Sequence, residues 1–149
     1  MVQAITTSQK KIYEDKSKTI GIFAVPEFEY YYVYSQNHLR IEEYKEAYTQ
    51  LLEMAGTKYH FNKLVLSLGN LVSTPLMGRA WFAAHFSPNF YKKVNKDLTA
   101  AVIKPQNKFE AVTIDIISGS LPKMGINVKT QFFEDEQNAI KWIENPIFE

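Results

Sequence analysis

The sequence predicts an α/β fold: a mixed, mostly parallel sheet with about four helices and antiparallel strands at its amino-terminal side. Three observations predict it. Short apolar or alternating runs recur along the 149 residues, segments of helical period stand between them, and capping or stop residues mark the boundaries. An extended pair comes first, and strand and helix then alternate four times, an order that implies parallel pairing through right-handed crossovers.

Residues 1–9 read as a flexible lead-in to a single domain over 10–149. Lys11–Glu14 and Thr19–Val25 are the first two extended segments, separated by the polar turn Asp15-Lys16-Ser17-Lys18. Pro26 interrupts pairing before the next strand, Phe28–Tyr34. There Phe28, Tyr30, Tyr32 and Tyr34 alternate with Glu29, Tyr31, Val33 and Ser35, and aromatic residues on both faces predict a strand covered on both sides.

The period changes at Ile41. Ile41, Tyr44, Ala47, Tyr48, Leu51, Leu52 and Ala55 recur at helical spacing, Glu42 and Glu43 suit the positive amino end, and Gly56 supplies a stop. Leu64–Leu68 is a continuous apolar run and reads as a buried strand. Beyond a short polar loop, Thr74 is placed to cap a helix whose first position is Pro75. Leu98–Ile103 is the next strand, closed by Pro105.

Asn107 followed by Glu110 has the form of a capping box, and Phe109, Val112, Ile116 and Ile117 match a helical face. The β-branched run Val112–Ile117 favours a strand instead; the cap signal decides for a helix. Val128–Phe133 is the last strand, and Asp135 caps a helix that turns Ala139, Ile140 and Ile143 inward and stops before Pro146.

Composition excludes several function classes. With no cysteine, disulfides, thiolate metal sites and thiol catalysis are absent, in keeping with a cytoplasmic protein. Seventeen basic and 16 acidic residues give a net charge of +1, and neither a basic stripe nor a stacking platform accompanies the nine tyrosines, so nucleic acid is not an expected partner. The longest charge-free run, Leu64–Gly78, is too short and too polar to span a bilayer.

The three histidines, His38, His60 and His85, show no metal-ligand spacing, and no phosphate-binding glycine loop or nucleophile motif occurs. Neither catalysis nor a cofactor is expected. Asp115, inside an apolar run, is a candidate for a buried acid, against the ordinary reading of such a residue on the wet side of a helix.

The candidate sites lie in and after the loop following Leu64–Leu68, because open α/β sheets place ligands beyond the carboxyl ends of their strands. Asn70, Ser73 and Thr74 are its polar residues. In the following helix Met77, Ala80, Trp81 and Ala84 share one face, while Arg79, Phe82 and Phe86 lie opposite, so both sides carry apolar surface. Such a helix is ordinarily packed in the core or in a dimer. Where it instead offers aromatic surface, Arg79, Trp81, Phe82, Phe86 and Phe90 are the candidate surface for a ligand or partner, and Lys92 and Lys93 beyond them are either a solvated helix end or suited to an anionic lipid surface.

The extended pair leading into LRIEEYKEAY (Leu39–Tyr48), then KLVLSLGNLVSTP (Lys63–Pro75), LTAAVI (Leu98–Ile103) and QFFEDEQNAIKWI (Gln131–Ile143) together resemble the SpoIIAA-like, STAS-fold proteins. These are relatives of anti-sigma-factor antagonists and resemble CRAL-TRIO lipid-binding domains. The resemblance covers roughly Lys10–Ile143 and implies a regulatory module that binds another protein and forms a homodimer. The CRAL-TRIO likeness implies an apolar ligand or a membrane surface.

In the antagonists, a serine at the amino end of the helix after the central strand is a phosphorylation switch, and Ser73-Thr74-Pro75 occupies that place. The family's Asp-Ser-Ser-Gly pattern is not present: Val72 precedes Ser73, and Pro75 and Leu76 follow Thr74. Helix capping is the ordinary role for hydroxyls there.

Overall fold

In a computed structural model of the chain, residues 8–148 are described. Most of the expected lead-in lies outside them. The fold is α/β, with a six-stranded mixed sheet in the order β1 (Lys10–Glu14), β2 (Ile20–Val25), β3 (Tyr30–Ser35), β5 (Lys63–Ser67), β7 (Leu98–Ile103) and β8 (Val128–Phe133). β1, β2 and β3 pair antiparallel; β3, β5, β7 and β8 pair parallel.

The helices are α1 (Ile41–Met54), α2 (Leu76–Trp81) continued through a π turn (Phe82–Phe86) into α3 (Ser87–Val94), α4 (Lys108–Ser120) and α5 (Glu136–Glu144). Strand and helix therefore alternate after the antiparallel strands, as the sequence order predicts. A feature the sequence did not predict is a small parallel pair between β4 (Asn37–His38) and β6 (Leu71–Ser73).

β3 begins two residues later than expected. Pro26 to Glu29 form a turn in which Glu29 takes a left-handed backbone (φ 57°), so Phe28 precedes the strand. The two-sided burial holds: Tyr30, Tyr32 and Tyr34 pack on one face and Tyr31 and Val33 on the other. α5 covers the first face with Ala139, Ile140 and Ile143, and the Tyr32 hydroxyl donates to Glu136 at its amino end. α1, α2–α3 and α4 lie on the opposite face, where Tyr44, Ala47, Tyr48 and Leu51 of α1 join Phe86, Phe90 and Val94 in the larger core.

Pro88 accounts for the π turn. It has no amide to continue the i to i−4 ladder, and its ring crowds the carbonyl four residues back. The extra residue lets the Ser87 amide and hydroxyl both reach the Phe82 carbonyl, the hydroxyl at 2.9 Å.

At the other end of α1, Gly56 (φ 75°) turns the chain so closely against α3 that a Cβ would stand 2.6 Å from the Lys93 carbonyl oxygen. Gly56→Ala combines that clash with a left-handed backbone, and urea unfolding should show a loss of about 2 kcal/mol. A loss below about 0.5 kcal/mol would mean that α3 gives way.

Candidate functional site

Across β5, β7 and β8 the register sets Leu64, Ala100 and Thr130 in one row, with Leu98 beside Val128 in another. These side chains share the sheet face beneath α4. α4 presents Thr113, Ile114, Ile117 and Ser118 to them, continuing into Leu121, and the residues at the centre of both walls are short. Ala100 and Thr130 below and Thr113 and Ser118 above leave the layers unfilled. The result is an apolar cavity of about 100 Å³.

Tyr44 and Tyr48 of α1, and Phe82, Phe86 and Phe90 of the broken helix, close one side of the cavity. Burial pushes the phenol pKa of both tyrosines far up, so they remain protonated and neutral.

α4 is tied down at its amino-terminal turn. Asn107 caps it by accepting from the Glu110 amide at 3.0 Å. The Glu110 carboxylate, 1% exposed, does not return to Asn107 as a full capping box would. It accepts instead from the Thr74 amide at 3.2 Å and from the Thr74 hydroxyl. Arg79 Nη2 lies 4.0 Å from the same carboxylate and donates to the Thr74 carbonyl at 3.1 Å. A buried acid thus ties α4 to the loop that enters α2.

This overturns the expected role of Thr74. Its hydroxyl is committed to Glu110, Pro75 is the N-cap, and no side chain caps α2. Ser73 pairs elsewhere: its hydroxyl lies 2.7 Å from His38 Nδ1 across the β4–β6 pair. Asn70 sits exposed in the preceding turn, where its carbonyl accepts from the Asn37 amide at 2.9 Å.

The candidate surface divides in the structure. Arg79, Phe82, Phe86 and Phe90 converge on the cavity, and Phe86 and Phe90, 3% and 1% exposed, are interior residues not offered at the surface. Trp81 is half-buried outside the cavity, with its ring 5.3 Å from that of His85 and under Lys45. Lys93 Nζ donates to the Leu52 carbonyl at 2.7 Å and so serves to join α3 to α1. Asp115 is exposed and pairs with Lys104 at 3.2 Å, which removes it as a buried acid.

Of the helical face formed by Phe109, Val112, Ile116 and Ile117, Ile117 turns to the cavity. Phe109, Val112 and Ile116 point outward, and with Val72, Leu76 and Met77 they are 43 to 73% exposed. The Arg79 guanidinium lies 5.1 Å from the centre of the Phe109 ring and links the starts of α2 and α4. The two sets therefore flank the same Ser73-Thr74-Pro75 loop.

Among the described residues no group of three or more potential ligands is placed to hold a metal ion, and no helix is long and apolar enough to cross a membrane. No family model, curated protein or solved structure matches the chain.

Proposed function

We propose that the protein is a non-enzymatic binding module whose site is the cavity beneath α4, taking a small apolar or amphipathic ligand. The observation that carries this reading is a void whose lining surface is mostly apolar, under a helix tied down at its amino-terminal turn. Close packing is the rule in protein interiors, and apolar voids of about 150 Å³ take up benzene. At about 100 Å³ the cavity suits a short chain or small ring as it stands, and an eight-carbon chain is admitted by outward movement of α4, which is tied down at its amino-terminal turn. The CRAL-TRIO likeness points to the same class.

The Ser73–His38 pair is read as a clasp between β4 and β6. Among the described residues no carboxylate bonds to His38 to orient it, and nucleophilic catalysis of the Ser–His type relies on such a group.

Titration with 1-octanol, followed by methyl NMR, tests the reading. Resonances of Ile114, Ile117, Leu121 and Val128 should move together and saturably. If none of them moves, the cavity is a packing defect and the proposal fails.

A second reading has its own support. The exposed Leu76, Met77, Phe109, Val112 and Ile116 form apolar surface around the loop that resembles the antagonists' switch, and such surface commonly meets a partner. In this reading the protein is a STAS-type regulatory module, a cytoplasmic homodimer or a partner of another protein, with Ser73 as the modifiable hydroxyl. Sedimentation of wild type against Val112→Lys/Ile116→Lys tests the dimer; equal masses at monomer size would remove it.

A further inference from the structure

Among the described residues Arg79 is the only charged one lining the cavity, and its hydrogen-bonding capacity is mostly unspent. A guanidinium carries five N–H donors. Among the described residues one bond is made, from Nη2 to the Thr74 carbonyl at 3.1 Å, with the Glu110 carboxylate further off at 4.0 Å. Nε is buried and has no hydrogen-bond partner.

A buried donor left unpaired is costly. In a cavity whose lining surface is mostly apolar, that cost would be recovered by a ligand acceptor placed at the guanidinium. The carboxylate of Glu110 does not fill this place: its nearer oxygen stands 4.0 Å from Nη2, beyond hydrogen-bond distance, while it accepts from the Thr74 amide and hydroxyl.

The lining residues run along the length of α4. Thr74 and Arg79 stand at the first turn of α4, through Glu110; Leu121 and Ile126 follow its last turn. The void beneath the helix therefore has a polar end at Arg79 and an apolar end at Leu121. A ligand lying along it would present one acceptor head to Arg79 and an alkyl chain to Leu98, Ile117 and Val128.

We infer that the ligand is a single-chain carboxylate amphiphile whose head group is held by the Arg79 Nε edge. This rests on the cavity being a ligand site. A carboxylate fits a guanidinium edge with two parallel charge-assisted bonds, whereas an alcohol offers one weaker acceptor and an ammonium none. Glu110 partly offsets the positive charge, so the preference expected is about tenfold rather than a hundredfold.

Octanoate and 1-octanol have the same chain length and differ at the head, so their comparison isolates the inference. Wild type should bind octanoate about tenfold more tightly than 1-octanol, and octanoate alone should shift the Arg79 Nε–Hε resonance. Arg79→Gln should remove the preference while retaining the 1-octanol shifts at Ile117 and Val128.

Equal affinity for the two ligands, or an Arg79 resonance that octanoate leaves in place, overturns the carboxylate inference and leaves the cavity standing as an apolar site. Failure of both ligands to bind overturns both readings. The wild-type resonance decides the point even if Arg79→Gln does not fold.

Discussion

Glu110→Ala should lower the unfolding free energy by about 3 kcal/mol, measured in urea. The carboxylate is 1% exposed and accepts two hydrogen bonds from Thr74. Its removal leaves the Thr74 amide and hydroxyl without their partner and Arg79 without its counter-charge. Breaking a buried pair from one side costs about 3–5 kcal/mol, and the lower end applies because Arg79 is 18% exposed. Glu110→Gln keeps an acceptor for Thr74 and should lose about 1 kcal/mol. The double variant Glu110→Ala/Arg79→Ala should lose less than the sum of its parts, since the two residues share one network. A Glu110→Ala loss below 1 kcal/mol would show that the tie between α4 and the α2 loop is not structural.

The same substitution should also change dynamics. With its first turn no longer tied to Thr74, α4 keeps only the Asn107 cap there, so amide exchange over residues 110–121 should accelerate more than in α1 or α5. Exchange that rises uniformly across the chain would instead indicate a global loss of stability.

The sequence showed the elements well because most of their signals are local. Asn107 decided between helix and strand over Val112–Ile117 and was right, since a side-chain acceptor at the first turn organises a helix despite β-branched residues. Asp135 gave the start of α5 in the same way, accepting from the Asn138 amide at 2.8 Å.

What failed was the assignment of polar partners and exposed faces. Glu110 and Thr74 each have an ordinary local use as capping residues, and nothing in linear spacing reveals that they satisfy each other across 36 positions. α4 carries apolar residues nearly all round, so periodicity could not say which stripe faces the sheet. The useful signal was Thr113 and Ser118 among the isoleucines, small polar residues where a packed core would place larger apolar ones. Pro88 was the corresponding signal for the π turn.

Phe90→Ala should cost about 4 kcal/mol, toward the upper part of the range for an aromatic removed from a core. Its ring is stacked on Phe86 with centroids 5.2 Å apart and meets Tyr31 edge-on at 5.9 Å, so both contacts are lost. The site also borders an existing void of about 100 Å³, and the deleted ring adds to that volume. Cavity cost rises with volume, at about 24 cal/mol per Å³. Phe90→Leu should recover roughly half of the loss, because it restores apolar volume without the ring contacts.

The enlarged void gives this variant a second use. A ligand that binds only the native state stabilises it by mass action, and Phe90→Ala leaves more room for one than wild type does. Saturating benzene should therefore raise the melting temperature of Phe90→Ala by more than it raises that of wild type. Equal shifts would mean that the space left by Phe90 collapses and never joins the cavity beneath α4. A loss below about 1 kcal/mol would place Phe90 outside the core, on the candidate surface that the sequence offers as the alternative to core packing.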